Sequence, residues 1–369
     1  MQQGRIRRVI LTIILILCTV SMLSAQGASE GATANSDIRK AIDALGREVS
    51  VSGDIKRIMV VGKAAIMPAN ALFLFPVVEE IEITLAKTDQ GLGDFFNLIR
   101  PEFATSNRLG QQVGAEEILA YNPSLVLTKS SNYDSIGKLL EPFGIPVFVM
   151  DLETPESWKS EIVQLGKILG DEQTPQKIIS AFEEREHAVS SKIATLSDKE
   201  KPSILMMQVA SSDGLTSFSI SPESWIQHTI TTLAGGKAIW VDSTLADNAW
   251  RKVSFEQIAS WQPQHIFLIS YKAPVRPFIA AIDASSQWQQ LDAVRQGRLQ
   301  ATPADVLQYV QSDVRWILAL QWLAAELHPQ LFPDFSMENE IRAFYRDFYG
   351  IEDEHIVETL VQKYQKSVE

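Results

Sequence analysis

Two glutamates, Glu116 and Glu256, stand 140 positions apart inside the longest internal repeat of the chain. VGAEEILAYNPSLVLTKS, from Val113, aligns with VSFEQIASWQPQHIFLIS, from Val253. Val113 matches Val253, Ile118 matches Ile258, Tyr121 matches Trp261, Pro123 matches Pro263 and Ser130 matches Ser270. Each copy reads as a short helix, a proline-marked turn and a buried strand. Ser254 and Gln257 form a capping box that puts Glu256 in the first helical turn. Placed there, a carboxylate gains from the helix dipole by up to about 1 kcal/mol, which accounts for either glutamate taken alone. Glu117 is the rival of Glu116, since adjacent helical residues point to different sides.

Catalytic groupings are not found. His187, His228, His265, His328 and His355 are dispersed, and none makes the HExxH pairing of a metalloprotease. No GxSxG elbow, P-loop or strand-borne GxGxxG occurs, and GLGDFF at Gly91 and LAGGKA at Leu233 contain glycine pairs only. Glycine pairs more often mark turns or helix ends than phosphate cradles. A non-enzyme is therefore expected. The competing class, an exported metal-dependent enzyme, needs a His and carboxylate cluster assembled from distant segments. A formal charge of -12 disfavours nucleic acid, whose phosphates require a basic face.

The elements that must position these residues follow from the chain's punctuation. Arg5, Arg7 and Arg8 precede the uncharged run from Val9 to Ser24, and small residues follow, the order of a secretory leader. Cleavage is expected after Gly27, with an uncleaved anchor as the competing reading. The single cysteine, Cys18, raises a lipoprotein alternative, but Leu17 stands where a small residue is usual. Without the leader the chain is more acidic still and has no cysteine, so a disulfide or thiolate metal site is ruled out. Residues 28–37 are small and polar and read as a tether. Apolar runs at 57–62, 81–86, 125–128 and 146–151 then alternate with helical patterns, and a second series includes 203–210 and 265–270. With 369 residues this predicts an α/β protein of two lobes, each a mainly parallel sheet flanked by helices. The expected boundaries are 38–172 for the first lobe, 173–197 for a linking helix and 198–369 for the second lobe. Pro175 at the helix start and apolar Ile178, Ile179, Phe182, Val189 and Ile193 on one broad face define that link.

The order of these motifs resembles the bacterial substrate-binding proteins of ABC importers for iron chelates, haem and corrinoids, whose lobes are joined by a long backbone helix. GREVSVSGDIKRIMVVG (46–62) and AEEILAYNPSLVL (115–127) are similar to first-lobe segments of that family. LAGGKAIW (233–240), WRKVSFEQIASWQPQHIFLI (250–269) and WQQLDAVRQGRL (288–299) resemble second-lobe signatures. WLAAELHPQLFPDF and EIRAFYRDFYG resemble the closing helices of a subset. The resemblance spans essentially the whole mature chain.

It implies a monomeric periplasmic receptor, without cofactor, that hands a metal chelate to a dimeric permease whose ATPase subunits are other chains. A ferric siderophore is the first expectation, with a corrinoid such as cobalamin or a haem as alternatives. It further implies that Glu116 and Glu256 each enter an arginine pocket on one permease half. The ligand belongs in the inter-lobe cleft, where loops after strand ends converge. Those loops are expected at 63–70, 129–133, 211–218, 248–251 and 271–276. Among their residues Tyr133, Trp250 and Tyr271 offer stacking surfaces, and Arg251 and Arg276 offer guanidinium groups for carboxylates or a catecholate. For each aromatic, ordinary core packing remains the equal alternative.

Overall fold

A computed structural model describes residues 38–368 apart from 88, 89, 91, 105–107, 111, 213 and 242–248. The expected leader (1–27) and tether (28–37) lie outside the described residues, as does Cys18. Arg39 to Glu369 form one compact unit.

The first lobe carries a two-stranded sheet, β1 (Ile38–Ile42) with β2 (Glu48–Ser52), and a five-stranded parallel sheet. The latter is built from β3 (Arg57–Val60), β4 (Glu82–Ala86), β5 (Arg108–Leu109), β6 (Leu125–Thr128) and β7 (Val147–Val149), in the order β5-β4-β3-β6-β7. Because side chains alternate across a strand, Ile58, Val60, Leu125, Leu127 and Phe148 enter one core, while Met59, Val61, Val126, Val147 and Val149 enter another on the opposite face. Burial on both faces is why these strands read as unbroken apolar runs. Helices α1 (Ile66–Leu72), α2 (Phe95–Ile99), α3 (Ala115–Ala120) and α4 (Pro155–Leu169) accompany this sheet.

Helix α5 (Gln173–Ile193) joins the lobes and buries Pro175, Ile178, Phe182, Val189 and Ile193. Phe182 stacks on Trp158 of α4 at 4.2 Å between ring centroids. Gly166 in α4 is required by this packing, since a Cβ there would lie 2.5 Å from Pro175 Cγ and 2.6 Å from the Asp171 carbonyl oxygen.

The second sheet has the order β11-β9-β8-β12-β13, with β10 also paired to β8. Its strands are β8 (Ser203–Ser212), β9 (Leu215–Ile220), β10 (Lys237–Ala238), β11 (Arg251–Val253), β12 (His265–Ile269) and β13 (Leu299–Ala301). The contacts of β8 with β10 and β12, and of β12 with β13, are parallel, whereas β8–β9 and β9–β11 are antiparallel. The expected loop at 211–218 is thus mostly a hairpin. Ser211 and Ser212 end β8, Leu215 begins β9, and the Asp-Gly pair between them is a common hairpin turn signal.

Around this sheet lie α6 (Ile226–Leu233), α7 (Phe255–Trp261), α8 (Arg276–Asp283), α9 (Trp316–Leu327), α10 (Met337–Tyr349) and α11 (Glu354–Val368). The fold is thus α/β, two lobes each built on a sheet flanked by helices and joined by one long helix.

A buried segment, 302–316, runs between the lobes. Asn70 of α1 donates to Asp313 Oδ2 at 2.8 Å, and Tyr349 of α10 donates back to the Asn70 carbonyl at 3.3 Å. The Arg315 guanidinium, fully buried, lies 4.3 Å over the Phe95 ring of α2 and donates through Nε to Tyr345 of α10 at 3.1 Å.

Candidate functional site

Residues that follow strands of both sheets meet this segment, Met67 at Ser312 and Tyr271 at Val310. After β6 comes Lys129, 6% exposed, whose ammonium donates to the Asp151 carbonyl at 2.7 Å and to Glu153 Oε1 at 2.6 Å. Its third neighbour is Met67 Sδ at 3.4 Å, and that sulfur is 3.6 Å from Ser312 Oγ in the second lobe. The turn after β7 is held from beneath. Glu161 of α4 accepts from the backbone N–H of Asp151 at 2.7 Å and of Leu152 at 3.1 Å, and Leu152 sits at φ +60°. Burial pushes the Glu161 carboxyl up to about 7 against the pull of those N–H groups. Asp151 in turn accepts from the N–H and hydroxyl of Ser130, at 3.2 and 2.7 Å.

Opposite, after β12, Tyr271 donates to the Val310 carbonyl at 3.0 Å. Its hydroxyl is pushed up chiefly by burial, with Glu153 of the first lobe and Asp313 adding in the same direction. Trp250 lies edge-on to Tyr271, centroids 6.2 Å apart, and edge-on to Trp225 at 5.6 Å. Gln227 Nε2 approaches the Tyr271 hydroxyl at 3.3 Å, and its Oε1 is buried with no hydrogen-bond partner.

Of the residues singled out from the sequence, Trp250 and Tyr271 are brought together. Tyr133 is engaged elsewhere, its ring 3.9 Å beneath the Arg47 guanidinium and its hydroxyl bonded to Glu141. Arg251 lines a surface recess of about 450 Å³ with Trp240, Lys252, Ser254, Gln257 and Trp261. Arg276 is exposed at the start of α8, and Asn248 lies outside the described residues. Lys129, Glu153, Met67 and Trp225 were not singled out. The lysine's signal is a charge directly after the apolar strand LVLT, an unusual place for an unpaired cation. Among the described residues no group of three or more His, Cys, Asp or Glu is arranged to hold a metal ion.

Glu116 and Glu256 are both exposed in the first turns of α3 and α7. Glu117 is exposed as well. Glu256 is held below the usual carboxylate range by its own backbone N–H and by Ser254.

Residues 130–306 match the protein family described as "Periplasmic binding protein". A periplasmic solute-binding protein of Veillonella parvula has the same fold at 21% identity and a TM-score of 0.68, covering 88% of this chain and 97% of its own. The molybdate periplasmic binding protein of Haemophilus influenzae gives 18% and 0.69, covering 85% and 98%. A Helicobacter pylori protein crystallised with Ni(II) bound gives 15% and 0.67, covering 86% and 98%. No curated protein matches in sequence. The chain thus has the fold of these periplasmic binding proteins, and residues 130–306 match that family in sequence.

Proposed function

We propose that this chain is an exported receptor that captures a metal chelate between its lobes and delivers it to an ABC permease in the membrane. Pore and ATPase are other chains, and the receptor acts in the periplasm as a monomer after loss of its leader. The observation that carries the reading is the equivalence of Glu116 and Glu256, one exposed carboxylate on each lobe in the same turn of the same repeated unit. A two-lobed receptor that meets a two-fold partner needs such a pair.

An iron chelate is the favoured ligand, with haem or a corrinoid as the alternatives. Trp250 and Tyr271, with Trp225 behind them, form the stacking wall, and Lys129 and Glu153 form the polar wall. Arg276 and Arg251 serve at the rim or at the partner surface, since among the described residues neither guanidinium stacks on Trp225, Trp250 or Tyr271. Tyr133 takes part only if its ring leaves Arg47. A bare transition metal is disfavoured for want of imidazole or thiolate ligands. Quenching of tryptophan fluorescence by a panel of ferric siderophores, haem and cobalamin, beside nickel and zinc salts, tests this. Saturable quenching by a chelate supports the receptor, and stoichiometric binding of the bare metals alone refutes it.

A further inference from the structure

Resting on that reading of the cleft, we propose that Lys129 anchors an anionic group of the ligand and that Glu153 is its exchangeable counter-ion. A lysine residue with 6% exposure must have its ammonium paired, and it has three N–H donors to place. Two are well used, on the Asp151 carbonyl at 2.7 Å and on Glu153 at 2.6 Å. Among the described residues the third direction meets only the thioether of Met67 at 3.4 Å, a weak acceptor. Lys129 is thus neutralised yet short of one good oxygen, on the side that faces Ser312 of the other lobe.

The partners differ in how freely they move. The Asp151 carbonyl belongs to a turn fixed by Glu161 and by the Asp151–Ser130 hydrogen bonds. Met67 is unbranched and adaptable. The Glu153 side chain is 30% exposed against 8% for Lys129, and among the described residues its carboxylate bonds Lys129 alone. An incoming oxyanion therefore pushes Met67 aside, takes the ammonium, and sends Glu153 to water, conserving one buried ion pair throughout. A cationic ligand gains nothing from this exchange. The ligand class is thereby narrowed to chelates or tetrapyrroles with an accessible carboxylate or catecholate and an apolar face for Trp250. A corrinoid such as cobalamin offers Lys129 only the phosphodiester of its nucleotide tail.

The test is a fluorescence titration of the full chain with a ferric tris-catecholate, haem, cobalamin and the cationic ferrioxamine B. It compares wild type, Glu153→Gln, Lys129→Gln and Lys129→Arg, each checked by circular dichroism for folding. For whichever anionic probe binds, Glu153→Gln should bind about tenfold more tightly, Lys129→Gln at least about tenfold more weakly, and Lys129→Arg close to wild type. Equal weakening by Glu153→Gln and Lys129→Gln would reduce the pair to a structural ion pair. Selective loss of ferrioxamine B binding in Glu153→Gln would make Glu153 the ligand group instead. Either result, or unchanged affinity in every variant, overturns the exchange while leaving the receptor intact. Failure of wild type to bind any of the four probes, or binding of ferrioxamine B alone, overturns the exchange too, and only the former also removes the chelate reading beneath it.

Discussion

Asn122 and Gln262 are the same residue of a repeated unit: 140 positions apart, they follow α3 and α7 in the left-handed region at φ +47° and +49°. Neither is glycine, so both turns accept the same backbone cost. Ahead of them Ile118 and Ile258 are buried, Glu116 and Glu256 exposed, and behind them β6 and β12 take equivalent places beside β3 and β8. The repeat is one of structure, and the two carboxylates inherit one orientation relative to their own sheets.

Charge reversal of those carboxylates should separate docking from binding. Glu116→Lys and Glu256→Lys are exposed changes expected to leave folding and ligand affinity near wild type. Against basic pockets of a permease, like charges cost several kcal/mol, so transport into reconstituted vesicles should fall at least about tenfold in the double variant. Undiminished transport there would leave the helix dipole as the sufficient account of both residues.

Arg315 should be the costliest polar residue to remove. It lies between Phe95 of the first lobe and Tyr345 and Tyr349 of α10, with Asp313 at 3.5 Å and Asp305 at 3.8 Å. Burial pushes Asp313 up to about 6 even with the guanidinium beside it. Arg315→Met leaves two buried carboxylates without their cation, a loss of about 3–5 kcal/mol. Urea unfolding measures it, and a loss below about 1 kcal/mol would show that the acids take up protons at little cost.

That cluster also marks where sequence reading stops. The repeat, the strands and α5 are written in local patterns, the Ser254 cap here and Pro175 there, which hold whatever lies opposite. By contrast TPADVLQYVQSDVRW shows no helix or strand period, yet it is buried, with Tyr309 donating to Asp305, the Arg315 backbone N–H to Asp313 and Asn70 to Asp313. Lys129 finds its partners on Asp151 and Glu153, after the next strand, and Trp225 reaches Trp250 from another element. Such convergence is tertiary, and spacing along the chain does not encode it. Tyr133 shows the reverse, a loop aromatic whose face is taken by Arg47.

Glu161 should make stability depend on pH. Its carboxyl is pushed up to about 7, mainly by burial, from an unfolded value of about 4.3. The folded chain then holds more protons than the unfolded one between those values, so this group's contribution is fully present below about pH 4 and is lost as pH rises to 7. The expected change is roughly 3–4 kcal/mol at about 1.4 kcal/mol per unit of pKa. Asp313 adds a slope of the same sign, so the measurement is the difference in urea midpoints between wild type and Glu161→Gln from pH 4.5 to 8. An identical slope in both would show that Glu161 is ionised throughout.

Ligand binding should move the lobes by only a few degrees. A hinge of flexible strands allows wide closure, whereas here a continuous helix joins the lobes and buries Phe182 against both Trp158 and Trp316. The route past the helix is also occupied. Lys363 of α11 donates to the Leu92 carbonyl at 3.1 Å, Gln90 donates to Gln311 at 2.7 Å, and Asn70 donates to Asp313. Wide opening would break all three and expose Arg315. Small-angle scattering of the full chain with and without a quenching chelate should give nearly superimposable profiles. In Arg315→Met the unliganded profile should expand and ligand should restore compactness. A large compaction of wild type on ligand addition would mean that α5 bends and that the buried segment 302–316 acts as a hinge instead of a weld.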